Sequence, residues 1–317
     1  MILVTGANGF VGKALVRELI QRFPSKQIIA VTRSSPNSNP VGAILRHVEC
    51  IGQNTDWGSM HGINTVVHCA ARVHVMKDKS ANPLAEFRFV NVEGTANLAR
   101  QAAAAGVRRF VFISSIKVNG ESTRNGQPFS ASDEPNPEDP YGVSKYEAEE
   151  ILHQIASETG MEVVIIRPPL VYGSGVKANF ASMMRLLARG FPLPLAAVTE
   201  NRRSFVALDN LLDLIVVCLD HPAAANQTFL VSDGEDISTT ELLRRMGRAL
   251  HRPARLLYVP VFLLKIGAMV INRAGVFQRL CGSLQLDINK TKEILGWQPP
   301  ITIDEGLRRA ARGVLPG

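Results

Sequence analysis

The sequence predicts an α/β fold: a Rossmann-like doubly wound parallel sheet with a smaller C-terminal substrate lobe. Three observations carry this. Short apolar runs alternate with helical patterns from residue 1 to about residue 167. Three glycines, Gly6, Gly9 and Gly12, mark the first strand–helix junction. The alternation then breaks at Pro168-Pro169. Strands that alternate with helices imply parallel pairing with helices on both faces. Continuous apolar runs such as VVIIR suit strands buried on both sides.

Taken in order, Met1–Thr5 reads as a strand and Phe10–Arg22 as an amphipathic helix. Ile28–Thr32 and Thr65–Cys69 are further strands. Asn82–Gly106 reads as one long helix, alanine-rich towards its end and closed by Gly106. Phe110–Ser114 is a strand, Asp139–Thr159 a helix and Val163–Arg167 a strand. These place a dinucleotide-binding domain over 1–168. Phe205–Val206 and Thr228–Val231 read as strands returning to it near 205–233, and 169–204 with 234–317 form the second lobe.

Composition narrows the class. The chain has 317 residues, 46% of them hydrophobic, which suits a folded globular protein with a real core. The net charge of +7 is spread along the chain. That disfavours a nucleic-acid groove and fits a pocket for polyanionic small molecules. The four cysteines form no Cys-x-x-Cys pair and no metal-ligand spacing, so buried free thiols in a reducing, cytoplasmic setting are expected and no metal. The N-terminus lacks a signal-peptide pattern. Leu256–Ile271 is the most apolar later stretch. It carries Pro260 and Lys265, is short for a membrane span, and reads as a core or interface helix, with peripheral membrane contact as the lesser alternative.

The chemistry begins at Thr5-Gly6-Ala7-Asn8-Gly9-Phe10-Val11-Gly12. Glycines here allow a tight turn, and the following helix N-terminus can receive a pyrophosphate. At the end of the second strand, where a carboxylate would hold a ribose 2′-hydroxyl, stand Thr32 and Arg33. A guanidinium there can pair with a 2′-phosphate, so NADP(H) is favoured, with NAD(H) as the alternative. Tyr141 and Lys145 form Tyr-x-x-x-Lys early in a helix, on one face. A free tyrosine titrates near ~10. A nearby ammonium and an oxidised nicotinamide favour the phenolate, so Tyr141 can exchange a proton with a sugar oxygen.

The glycine loop, Ser114-Ser115 and Tyr141-x-x-x-Lys145 together resemble the extended short-chain dehydrogenase/reductases. Further segments carry the resemblance along nearly the whole chain: His68-Cys69-Ala70-Ala71, Asn91-Val92-Glu93-Gly94-Thr95, Arg167-Pro168-Pro169-Leu170-Val171-Tyr172-Gly173 and Leu295-Gly296-Trp297-Gln298-Pro299. The members most similar act on nucleotide sugars, notably bacterial 4-epimerases and 4-ketoreductases of surface-polysaccharide (lipopolysaccharide) pathways. The resemblance implies catalytic roles for Ser115, Tyr141 and Lys145. It implies cofactor contacts from Gly6, Asn8, Gly9, Phe10, Val11, Gly12, Thr32, Arg33, Ala70, Ala71, Arg72, Asn91, Ser114, Tyr141, Lys145 and Pro168. Substrate contacts are implied for Ser115, Lys117, Asn119, Tyr141, Asn179, Arg203 and Arg279, and a homodimer through 82–106 and 139–159. Two positions depart from relatives. Cys50 stands where many have an acidic residue after the third strand, and Pro169-Leu170 where some epimerases have Asn.

The stretch SSIKVNG, Ser114–Gly120, selects among reactions. Family 4,6-dehydratases follow the serine or threonine with Asp-Glu, whereas this chain has Ile116 and Lys117, which cannot protonate a leaving hydroxyl. Lys117 either donates to the sugar or is a solvated loop lysine. A reductase must exchange its cofactor at each turnover whereas an epimerase can keep one NAD, so the lean to NADP(H) points first to reduction of the C4 ketone of a UDP-4-keto-6-deoxy-(N-acetyl)hexosamine. The alternative is a UDP-glucose or UDP-N-acetylglucosamine 4-epimerase with tightly held NAD. A third reading, a non-catalytic dinucleotide sensor, is opposed by the intact Ser115, Tyr141 and Lys145.

Overall fold

The structure is a computed structural model. Residues 1–33, 42–73, 82–176 and 178–313 are described, residues 178 and 179 by their backbone alone. Strand β1 (Ile2–Thr5) leads through the glycine turn into α1 (Phe10–Arg22). Next come β2 (Ile28–Thr32), β3 (Ala43–His47), β4 (Thr65–His68), α2 (Pro83–Phe87), α3 (Gly94–Ala104), β5 (Arg109–Ile113), α4 (Pro140–Thr159) and β6 (Glu162–Arg167). The lobe and its returns comprise β7 (Leu170–Tyr172), α5 (Ala178–Ala188), β8 (Arg203–Ala207), α6 (Leu208–Asp220), β9 (Gln227–Leu230), β10 (Asp236–Ile237) and α7 (Thr239–Ala249). The chain finishes with α8 (Val261–Val270), α9 (Ala274–Cys281), α10 (Asn289–Leu295) and α11 (Ile303–Arg312).

The main sheet has the order β3-β2-β1-β4-β5-β6-β9, and every pairing in it is parallel. The strand order reverses beside β1, so β1 and β4 open a crevice at their carboxyl ends, where doubly wound folds bind ligands. Alternation within β1 serves both faces. Ile2 and Val4 pack with Leu15 and Leu19 of α1 and Leu211 of α6. Leu3 packs with Leu98 and Ala99 of α3 and Leu152 of α4. The expected doubly wound fold is thus present.

The differences are informative. Strand β3, for which the sequence pattern gives no bounds, lies next to β2 at the sheet edge; its residues are half-buried or exposed, so its apolar signal is weak. Phe205–Val206 does not return to the main sheet. It lies in β8, the centre of a separate sheet of order β10-β8-β7, parallel to β7 and antiparallel to β10. Only β9 returns, beside β6. The long helix from Asn82 is present, but a π-helical turn at Arg88–Glu93 divides α2 from α3. The lobe has its own core of Tyr172, Phe180, Phe205, Leu243 and Leu307. Asp233 fastens it to the chain leaving β8. It accepts from the Tyr172 hydroxyl at 2.7 Å, the Ala207 N–H at 2.7 Å and Asn210 Nδ2 at 2.7 Å.

Two further expectations change. Leu256–Ile271 is not a core helix, since α8 buries none of its residues. Of the cysteines, only Cys218 is fully buried, while Cys50 is exposed and Cys69 and Cys281 are half-buried. Among the described residues, no helix is long and apolar enough to cross a membrane.

Candidate active site

The glycine turn is built by close approach. Gly6 has φ +67°, and a Cβ there would meet the backbone of Ala70 at 2.8 Å. A Cβ on Gly12 would meet the Gly6 carbonyl at 2.3 Å, so α1 can sit on the turn only with glycine at that place. Gly9 caps α1 with no side-chain hydrogen bond, which leaves the first N–H groups of the helix for an anion. Phe10 and Val11, half-buried, pack their side chains against the core.

A cavity of about 420 Å³ opens over this turn. It is lined by Gly6, Asn8, Gly9, Thr32, Arg33, Ala70 and Ala71, as expected, and also by Val48, Glu49, Ile51, Trp57 and Val90. These residues fit a dinucleotide: a side-chain-free cradle at a helix N-terminus, with an apolar slot beside it. The acidic residue after the third strand is Glu49, one position before Cys50, and it had no distinctive spacing to reveal it. Trp57, 0% exposed, is fixed by Nε1–H donation to Asn97 at 2.6 Å.

Hydrogen bonds lock the crevice. The Thr95 hydroxyl donates to the Asn91 carbonyl at 2.6 Å, so at 3.0 Å it accepts from His68 Nε2. His68 Nδ1 then accepts from the Thr5 hydroxyl at 2.6 Å, and that oxygen accepts from the Ala70 N–H at 3.3 Å. Burial, with the Lys145 charge adding, lowers His68 to about 3, which keeps it neutral and the chain intact.

Several of the expected cofactor contacts also make bonds within the protein. Asn91 is 1% exposed. It accepts from the Arg72 N–H at 2.7 Å and donates to the Arg72 carbonyl at 3.0 Å and Ser144 Oγ at 2.9 Å. Its amide is spent holding the 70–72 segment against α4. Arg72 lies beside Phe87 and 3.7 Å from Glu86. The Ser114 hydroxyl donates to Glu149. Buried Pro168 accepts from the Ile116 N–H at 3.0 Å.

A second cavity, of about 750 Å³, lies beyond Ser115. It is lined by Ser115, Lys117, Tyr141, Leu170, Arg203, Lys265, Met269, Phe277, Gln278 and Arg279 among others. It therefore brings together Ser115, Tyr141, Lys117, Arg203 and Arg279 from four separate parts of the chain. Asn119 does not belong to it. It is 2% exposed, donates to the Ser130 carbonyl at 2.9 Å and accepts from Arg167 at 2.9 Å. Asn179 lies outside the described side chains. Lys265, Met269 and Gln278 carry no motif, and the first two sit where the sequence suggests only an apolar helix.

The serine loop explains its own spelling. Ile116 and Val118 are buried. Ser115 Oγ caps the short turn by accepting from the Lys117 N–H at 3.3 Å. Lys117 is half-buried and paired: its ammonium contacts Glu121 at 2.6 Å and Asp139 at 2.5 Å. The other Asp139 oxygen caps α4 by accepting from the Gly142 N–H at 2.7 Å. Lys117 therefore ties the loop of Ser115 to the helix end that carries Tyr141.

Burial pushes Tyr141 up to about 12, with the Asp139 charge adding and Ser115 opposing. The expected lowering of Tyr141 is not produced by the protein alone. Lys145, 1% exposed, donates to the Ile113 carbonyl at 2.7 Å over the Phe112 ring. Burial lowers it to about 7 against the opposing charge of Glu149. Glu149, 1% exposed, is itself gripped by Arg167 Nη2 at 2.5 Å and Nε at 3.1 Å. Burial also lowers Arg203, and the neighbouring Arg279 charge adds to it. The Arg203 guanidinium donates to the Gly282 carbonyl at 3.0 Å. Among the described residues, no group of three His, Cys, Asp or Glu could hold a metal ion.

A dinucleotide cradle joined to a Ser/Tyr/Lys site beside a cationic cavity defines a nicotinamide-dependent enzyme of the short-chain dehydrogenase/reductase type. Residues 2–232 match the NAD dependent epimerase/dehydratase family, and the chain belongs to it. Over 316 residues it is 50% identical to a UDP-glucose 4-epimerase of Vibrio cholerae, covering 99% of this chain and 95% of that one. The solved structure of MoeE5 in complex with UDP-glucose and NAD superposes with a TM-score of 0.74 at 26% identity, covering 98% of this chain and 97% of that one. The UDP-glucose 4-epimerase of Thermotoga maritima shares the fold, with a TM-score of 0.77 at 23% identity over 98% of this chain and 97% of that one.

Proposed function

We propose that the protein interconverts a UDP-hexose or UDP-N-acetylhexosamine with its C4 epimer, holding NAD throughout. One observation carries this. Ser115 and Tyr141 face a sugar-sized cavity in a chain half identical, nearly end to end, to a UDP-glucose 4-epimerase. The ketoreductase reading rests on NADP(H), and Glu49 weakens it. That carboxylate lines the same cavity as Arg33 and opposes a further phosphate.

When bound, the nicotinamide supplies reversible hydride transfer at C4. The chain's own residues handle the proton and the orientation. Tyr141 as phenolate takes the proton from the C4 hydroxyl and as phenol returns it to the C4 oxygen of the epimer, while Ser115 holds the reacting oxygen. Lys145, one helical turn from Tyr141, favours phenolate when charged. Arg203 and Arg279 grip the diphosphate, since two close guanidinium groups are relieved by an anion between them. The paired 82–106 and 139–159 helices of two copies form a homodimer in this reading, which light scattering at micromolar concentration tests.

The decisive assay is incubation with UDP-glucose or UDP-N-acetylglucosamine and no added cofactor. The expected product is the corresponding galacto epimer. Oxidation of NADPH by a UDP-4-keto-6-deoxyhexosamine, with no epimer formed, would overturn the reading in favour of the reductase.

A further inference from the structure

The hairpin of α8 and α9 buries none of its residues. It rests on the lobe through the edges of Leu256, Leu264 and Leu280, which pack on the lobe core. The rest is turned outward: Tyr258 is 76% exposed, Phe262 62%, Met269 54%, Val270 80% and Ile271 66%. A helix apolar on nearly every side belongs in a core or against lipid, and α8 is in no core. Its length of 10 residues excludes a span and suits a helix lying in an interface.

Charge identifies what covers it. From Ala249 to Leu286 the sequence has no Asp or Glu but has Arg252, Arg255, Lys265, Arg273 and Arg279. The last four are exposed beside the apolar residues. An apolar surface whose own segment carries cations and no carboxylate is complementary to anionic phospholipid, where each basic residue near the surface adds attraction. A second copy of this surface would instead set like charges against each other. The patch is also continuous with the sugar cavity, because Lys265, Met269 and Arg279 line both.

We propose that the α8–α9 hairpin docks the protein on an anionic membrane surface, with the mouth of the sugar cavity at that interface. The proposal goes beyond the epimerase reading and does not depend on it. The test is sedimentation of the full chain with vesicles of equal parts phosphatidylglycerol and phosphatidylcholine, against vesicles of phosphatidylcholine alone. Binding to the anionic vesicles is expected to be at least ~tenfold tighter and to weaken with salt. Phe262→Asp with Val270→Asp, neither residue lining the cavity, is expected to cut that binding at least ~tenfold. Circular dichroism and the thermal midpoint of this variant should stay those of the wild type. Failure of the wild type to sediment, or equal binding to neutral vesicles, overturns the proposal. So does light scattering in which the wild type is a larger oligomer, the double variant a smaller one, and neither binds vesicles.

Discussion

The two walls of the cavity beyond Ser115 are built in opposite ways. The wall that carries Ser115, Tyr141 and Lys145 grows out of β5 and α4 and is backed by buried charge. Glu149, Arg167, Ser114 and Asn119 saturate one another at its rear. The facing wall, α8 and α9, has no buried residue and no buried ion pair of its own. Proton transfer needs fixed atoms, and the first wall fixes them. The second wall is held only by the packing of a few side chains such as Leu264 and Leu280 on the lobe core.

The sharpest way to break the contrast is to cut the rear of the first wall. Glu149→Leu leaves the Arg167 guanidinium buried without its carboxylate, which costs roughly 3–5 kcal/mol. Urea unfolding should show that loss, and a change below about 1 kcal/mol would mean the network is not what holds the wall. Tyr141→Phe removes the proton carrier while leaving the packing in place. It should lower kcat at least roughly a hundredfold with unchanged nucleotide affinity by fluorescence titration. Near-normal turnover would remove Tyr141 from its role.

A gentler probe uses the titration of Lys145, lowered from 10.5 to about 7. Between those values the unfolded chain binds more protons than the folded one, so this group makes wild-type stability rise with pH. Below about 7 the buried ammonium imposes its full penalty. Lys145→Met should therefore gain on wild type more at pH 6 than at pH 9 in thermal midpoint, and a gap independent of pH would refute the cause. The smallest effect belongs to the second wall. Phe262→Asp should change unfolding stability by no more than about 0.5 kcal/mol. A larger loss would show that α8 is packed more firmly than its exposure indicates.

Legibility followed the same division. The glycine turn, the strand–helix alternation and Tyr141-x-x-x-Lys145 are local patterns, and local patterns can be read. Asn91, Ser114 and Asn119 sit in recognisable motifs, yet their side chains face inward to hold Arg72, Glu149 and Arg167. Motif spacing gives position along the chain and does not give the direction of a side chain. Glu49 and Lys265 reach their cavities only through tertiary folding, and β3 and α8 lack the periodicity of buried elements. The Phe205 strand was readable as a strand, but its sheet was not, because pairing partners are set by the whole chain.

The π-helical turn at Arg88–Glu93 has one more consequence. It acts as a phase shifter. Each residue of an α-helix advances the side chains by about 100°, so a one-residue surplus sets the angle at which everything downstream leaves the turn. Asn91 lies within it and Thr95 just after, and these two hold Arg72 and His68. Deleting one residue there would restore a more regular helix and rotate Thr95 away from His68. At this point, greater helical regularity would unpick the crevice that receives the dinucleotide.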